Sequence, residues 1–184
     1  MMALWIVLGV LFVIAVWGIA VYNGLVQQHE SVKNGWSQID VQLKRRHDLI
    51  PNLVETAKGY LKHENKTLDD VIRARQMAVD ARSLPDKQAA ENMLTGTLRS
   101  LFAVTENYPD LKANRQMIQL HEEITSTENK IAFARQYYND EVNRYNASVQ
   151  SFPDNAVAGA FKFEKMEFFQ IEDPAEKKAP EVKF

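Results

Sequence analysis

The chain has 184 residues, and 22 Lys and Arg against 24 Asp and Glu leave a net charge of −2. That length accommodates one membrane segment and one soluble body with its own core, but no second enzymatic domain. The charge balance gives no broad attraction to nucleic acid, and the absence of cysteine excludes disulfides, a thiol nucleophile and thiolate metal sites.

Residues Ala3 to Tyr22, ALWIVLGVLFVIAVWGIAVY, beginning Ala3-Leu4-Trp5, carry no charge. About 20 helical residues rising about 1.5 Å each match a hydrocarbon core of about 30 Å, so the stretch reads as a transmembrane helix. Trp5 near one end and Trp17 and Tyr22 near the other fit aromatic anchoring at the two interfaces. A cleaved signal peptide is the competing reading. It lacks a basic n-region, the apolar run is long for an h-region, and a helical pattern continues beyond it. No Lys or Arg precedes the span, whereas Lys33, Lys44, Arg45 and Arg46 follow it. This bias puts the N-terminus outside and the remainder in the cytoplasm.

After Tyr22-Asn23-Gly24, a helix over about residues 25 to 62 carries Leu25, His29, Val32, Trp36, Ile39, Leu43, Arg46, Ile50, Leu53, Ala57 and Tyr60 at alternating spacings of four and three. Such a repeat keeps one seam against a partner helix. Two of its positions, His29 and Arg46, are polar and need a partner or a rim location. Gly35 weakens the helix locally. Pro51 removes a backbone donor and crowds the carbonyl of His47, and because the seam keeps its phase across Pro51 a kink is expected there rather than a break.

Lys62 to Thr67 is the next turn, and Leu68, Val71, Ile72, Arg75, Ala78 and Val79 predict a second, shorter helix to about Arg82. Ser83-Leu84-Pro85-Asp86 closes it. From Lys87 a third helix carries Ala90, Leu94, Thr97, Leu101, Val104 and Tyr108, ending at the turn Asn107-Tyr108-Pro109-Asp110. A fourth runs from about Leu111 to Gln150 on a seam of Met117, His121, Ile124, Glu128, Ile131, Arg135, Tyr138, Val142, Tyr145, Val149 and Phe152. Glu128 and Arg135 stand on that seam as Arg46 stands on the first, so a partly buried inter-helix ion pair between Arg46 and Glu128 is expected to fix register.

The fold class is therefore all-α: an N-terminal transmembrane helix over 1–24, an antiparallel helical bundle of two long and two short helices over 25–152, and a C-terminal tail over 153–184. The short pair covers only half of the long pair. That leaves Trp36, Ile39 and Leu43 on a bare apolar arm, an expected surface for self-association into a homo-oligomer. In the tail, Phe161, Phe163, Met166, Phe168 and Phe169 interleave with Lys162 and Lys165. They either touch the membrane surface or pack on the arm. The charged EDPAEKKAPEVK after Ile171 is read as mobile.

Reactive constellations are weak. His47-Asp48 lie about 100° apart on a helix, and the nearby Pro51 explains Asp48 as a cap. None of His29, His47, His63 or His121 has a glutamate three residues before it, as a carboxylate-bridged di-metal bundle requires. No phosphate-cradling glycine loop and no nucleophile elbow occurs. Neither catalysis nor a cofactor is expected. The basic run Lys44 to Arg46 lies about 30 Å beyond the span, past a Debye length of about 8 Å, which favours pairing with protein over lipid headgroups.

The exit YNGLV (Tyr22 to Val26), the string WSQIDVQLKRRHDLIPNLVE starting at Trp36, TENKIAFARQYYND (Thr127 to Asp140), the repeated Tyr-Asn at 138–139 and 145–146, and the Phe-rich C-terminus ending PEVKF resemble the LemA family of small bacterial membrane-anchored proteins. The resemblance implies a single-pass protein of the bacterial inner membrane with a cytoplasmic helical domain, and it implies no defined activity. Its members' links to internal membranes and to membrane metalloproteases make two roles natural expectations. One is a scaffold that presents a helical body to membrane proteins; the other is a substrate adaptor or regulator of a membrane metalloprotease.

Overall fold

The computed structural model describes residues 1–61 and 63–169. The charged stretch from Glu172 onward, read above as mobile, lies outside them, as does the C-terminal PEVKF. The described residues are all-α, with no strand among them, and form six helices: α1 (Met2–Lys58), α2 (Asn65–Asp80), α3 (Leu84–Thr105), α4 (Pro109–Lys112), α5 (Arg115–Gln150) and α6 (Asp154–Ala160). They divide into two compact units. One comprises Met1–Ile39 and Phe133–Phe168; the other comprises Asp40–Ala132 with Phe169.

α1 is continuous from the apolar N-terminus through Gly24 and through Pro51. Its expected seam is the face that is buried: Leu25, Val32, Ile39, Leu43, Arg46, Ile50, Leu53 and Ala57 are all covered, while Tyr60 at its end is exposed. Ile39 at 0% and Leu43 at 2% exposure correct one expectation. With Trp36 half-buried beside them, these side chains are already enclosed by their own chain, so they offer no bare arm to a second copy.

The core of the second unit is built from Ile50, Leu53, Val54 and Ala57 of α1, Leu68, Val71, Ala74 and Ala78 of α2, Leu94, Leu98 and Leu101 of α3, and Met117, Leu120 and Ile124 of α5. α2 and α3 pack on one another. The alanines of α2 let backbones approach, and the leucines of α3 fill the space so gained. Ser83-Leu84-Pro85-Asp86 starts α3 instead of merely closing α2. Ser83 is the N-cap, its hydroxyl accepts from Asp86 N at 3.2 Å, and Pro85 sits in the first turn, where its missing N–H costs nothing. Asn114 caps α5 likewise, its Oδ1 accepting from the backbone of Gln116 at 2.9 Å and Met117 at 3.2 Å.

In the first unit, Trp36 meets Tyr138 edge-on at 5.7 Å, and a Cβ placed on Gly35 would lie 3.2 Å from Tyr138 Cα. α1 and α5 therefore approach closely at Gly35, and the absent side chain permits it.

Candidate functional site

The second unit holds a buried polar node. Successive residues of α1, Arg46 and His47, converge on one carboxylate of α3. Arg46 donates through Nη2 to Glu91 Oε2, and His47 Nε2 lies 2.9 Å from Glu91 Oε1. Arg46 also donates through Nη1 to Thr95 Oγ1 at 3.0 Å and lies 3.5 Å from Glu128 Oε1 of α5. Arg46 and Glu91 are 3% and 4% exposed. Burial by itself would raise the Glu91 carboxyl; the hydrogen bond from His47 and the charge of Arg46 outweigh it and hold the group below the ordinary glutamate range. One guanidinium thus ties α1 to both α3 and α5.

Pro51 extends the node. Lacking an N–H, it leaves the carbonyl of His47, four residues earlier, without its helical donor. Arg75 of α2 fills the gap, donating Nε to His47 O at 2.7 Å. The discontinuity at Pro51 is thereby converted into an inter-helix hydrogen bond.

The expected Arg46–Glu128 contact is present, but Glu128 is the more exposed and more distant of the two carboxylates around Arg46. Arg135 belongs to the other unit. Glu91, Thr95 and Arg75 were absent from the expected site. The signal for Glu91 lay in the phase of α3: its buried residues are Ala90, Glu91, Leu94, Leu98, Leu101 and Thr105, which include Ala90, Leu94 and Leu101 of the expected seam, whereas Thr97 and Val104 are only half-buried. Among the described residues no group of His, Asp and Glu has an arrangement suited to a metal ion.

In the first unit, the apolar start of α1 is a surface feature. The window that qualifies it as long and apolar enough to cross a membrane has none of its residues buried. Trp5 is 71% and Trp17 38% exposed, and Ala3 and Leu4 also face outward. Burial begins at Leu25, which clusters with Val157 and Ala158 of α6 and with half-buried Val21, Val149 and Phe163. Tyr22 stands at this change, its ring 4.8 Å from that of Phe161 and 5.7 Å from that of Phe163.

The segment after α6 is strapped to α5 by side chains. The Asn146 amide brackets Met166, donating Nδ2 to its carbonyl at 2.8 Å and accepting from its N–H at 2.9 Å. The hydroxyl of Tyr138 donates to Glu167 O at 2.9 Å, and burial together with the Glu167 carboxylate pushes that phenol upward, keeping the proton in place. The aromatics therefore split in fate: Phe169 is buried and Phe163 half-buried, whereas Phe161 is 62% and Phe168 42% exposed.

An all-helical chain with an exposed apolar N-terminal helix and a body locked by buried polar groups is of the membrane-associated helical class, without strands among its described residues. A model described as the LemA family matches residues 35–184, and the chain belongs to that family. Among curated relatives, Protein LemA of Metamycoplasma hominis is 27% identical over 155 residues, covering 82% of this chain and 69% of the relative. Magnetosome protein MamQ 2 of Paramagnetospirillum magneticum is 25% identical and Magnetosome protein MamQ of Magnetospirillum gryphiswaldense 23% identical, each over 84% of this chain and 66% of the relative. The chain thus spans about two thirds of the length of these relatives.

Proposed function

We propose that this chain is a membrane-anchored, non-catalytic scaffold, held by Ala3 to Tyr22 with its N-terminus outside and an antiparallel helical body in the cytoplasm. In this reading it associates with copies of itself and presents its body to partner membrane proteins. The observation that carries the reading is the wholly exposed apolar start of α1 continuing unbroken into a helix whose later residues are folded core. Exposed apolar helix of that length is stable only in lipid. Two of the relatives are named magnetosome proteins, and an organising role at a membrane is consistent with those names. The charge bias of Lys33, Lys44, Arg45 and Arg46 supports the orientation.

Because Ile39 and Leu43 are enclosed, self-association needs another face. Phe133 and Tyr137, one turn apart on α5 and 72% and 41% exposed, offer one such apolar face in the first unit. The chain has no cysteine, so a single F133C variant can be crosslinked unambiguously in membranes and sized after detergent extraction. A crosslinked species of twice the chain mass is expected; a clean monomer would sink the self-association. Pull-down from membranes addresses the remaining choice: several partners at low occupancy fit a scaffold, while one protease recovered in near-equal amount would replace it with an adaptor.

A further inference from the structure

α6 ends in a lysine where glycine is the ordinary choice. Lys162 has φ 58°, in the left-handed region, and closes a Schellman motif in which Phe163 N donates to Ala158 O at 2.9 Å and Lys162 N to Gly159 O at 3.4 Å. This turn throws the flanking phenylalanines onto Tyr22 while Lys162 itself points into solvent. A strained residue maintained at an exposed site is a pointer to function. The ring contacts of Tyr22 place Phe161 and Lys162 at the level where the exposed apolar helix gives way to covered residues. Phe161 remains 62% exposed there. The adjoining groove, about 640 Å³, is lined by Lys33, Lys162 and Lys165 against Glu30 and Glu164. Lys33 is paired with Glu30 at 2.8 Å, while Lys162 and Lys165 have no carboxylate partner among the described residues.

We propose that Phe161 and Lys162, seated on Tyr22, form a second membrane contact that binds anionic phospholipid headgroups, the ring entering the interface and the ammonium meeting the phosphates. It rests on the reading of α1 as a membrane anchor. Aromatic rings favour the interfacial layer, and lysines at an anionic surface add electrostatic attraction that vanishes within a Debye length. The continuity of the aromatic cluster with the exposed apolar helix, and the surplus of lysine over carboxylate, single out the bilayer that holds the chain as the occupant.

The absence of cysteine allows a fluorophore to be placed at one chosen position in the full chain. A side chain at Gly159 meets nothing within 4 Å, so G159C reports on the site with Phe161 and Lys162 intact; F12C reports on the apolar helix and V79C on exposed α2. The chain is reconstituted in phosphatidylcholine vesicles with and without phosphatidylglycerol. In the mixed vesicles the label at 159 should lose iodide quenching and gain quenching by headgroup-labelled lipid, and F161A/K162Q should return it to the iodide-accessible behaviour of the label at 79. Equal iodide access at 159 and 79, with 12 shielded, would overturn this proposal alone. Iodide access at 12 as well would overturn the anchor reading, and this proposal with it. Protection at 159 that is equal in phosphatidylcholine alone would overturn the assignment to anionic headgroups.

Discussion

The carboxylate of Glu91 is shared by two consecutive residues of one helix, with Arg46 on one oxygen and His47 on the other. A buried ion pair is costly to leave half-made but gains little over a well-packed apolar pair. R46M and E91L should therefore each destabilise the fold by about 3–5 kcal/mol, while R46M/E91L should recover most of that loss. Chemical denaturation in detergent reads it; a double variant no better than the sum of the singles would show that the two groups act independently.

The same carboxylate predicts an acid limb. Its pKa is lowered in the folded state, so its contribution is present above the ordinary glutamate range and is lost as pH falls through the folded value. Melting temperature measured on a descending pH series should fall in that window for the wild type. E91Q, though less stable throughout, should show a shallower fall across it. Parallel curves would place the acid sensitivity in other carboxylates.

Pro51 and Arg75 should be coupled through the His47 carbonyl. Removing the guanidinium by R75M leaves that carbonyl unpaired and should cost about 1–3 kcal/mol. In a P51A background a backbone N–H returns to the same oxygen, so R75M should cost clearly less. An unchanged cost in both backgrounds would mean that Arg75 acts through some other contact.

At the strap after α6, N146A removes two hydrogen bonds to the backbone of Met166, each worth about 0.5–1.5 kcal/mol net. Hydrogen exchange at residues 163 to 168 should accelerate in this variant while the amides of α2 and α3 keep their protection. Uniform acceleration would mean that Asn146 supports the whole fold.

Gly35 gives a steric test. G35A gains helix propensity of about 1 kcal/mol but brings a Cβ to 3.2 Å from Tyr138 Cα, so its net effect should be small. G35V, with two further methyl groups at that contact, should destabilise by about 1–3 kcal/mol. Equal stability of all three would show that the helices separate freely there.

The seam of α1 was legible because a regular repeat of large apolar side chains has only one buried face: Leu25 to Ala57 occupy it as the spacing required. The phase of α3 was legible only in part: Ala90, Leu94 and Leu101 are buried as the spacing required, but the stripe also includes Glu91 and Thr105, and hydrophobic periodicity assigns such residues to solvent. The partner that makes Glu91 tolerable stands 45 residues away in the chain. His121 of α5 and Phe152 just beyond its end fell on the expected seam, yet His121 is exposed and stacked on Phe102 at 4.1 Å, and Phe152 is 87% exposed. The enclosure of Ile39 and Leu43 was not legible from helix lengths, which do not say which side chains their neighbours cover.

The central claim is that Ala3 to Tyr22 anchors a folded helical body in a membrane. Alkaline carbonate extraction of membranes from expressing cells tests it directly, with the intact mass of the retained chain determined from the same sample. The uncleaved chain should remain in the membrane pellet, and V10R/I14R should move it to the supernatant. Release of the unaltered chain into the supernatant, or a mass lacking the residues before Gly24, would contradict the account.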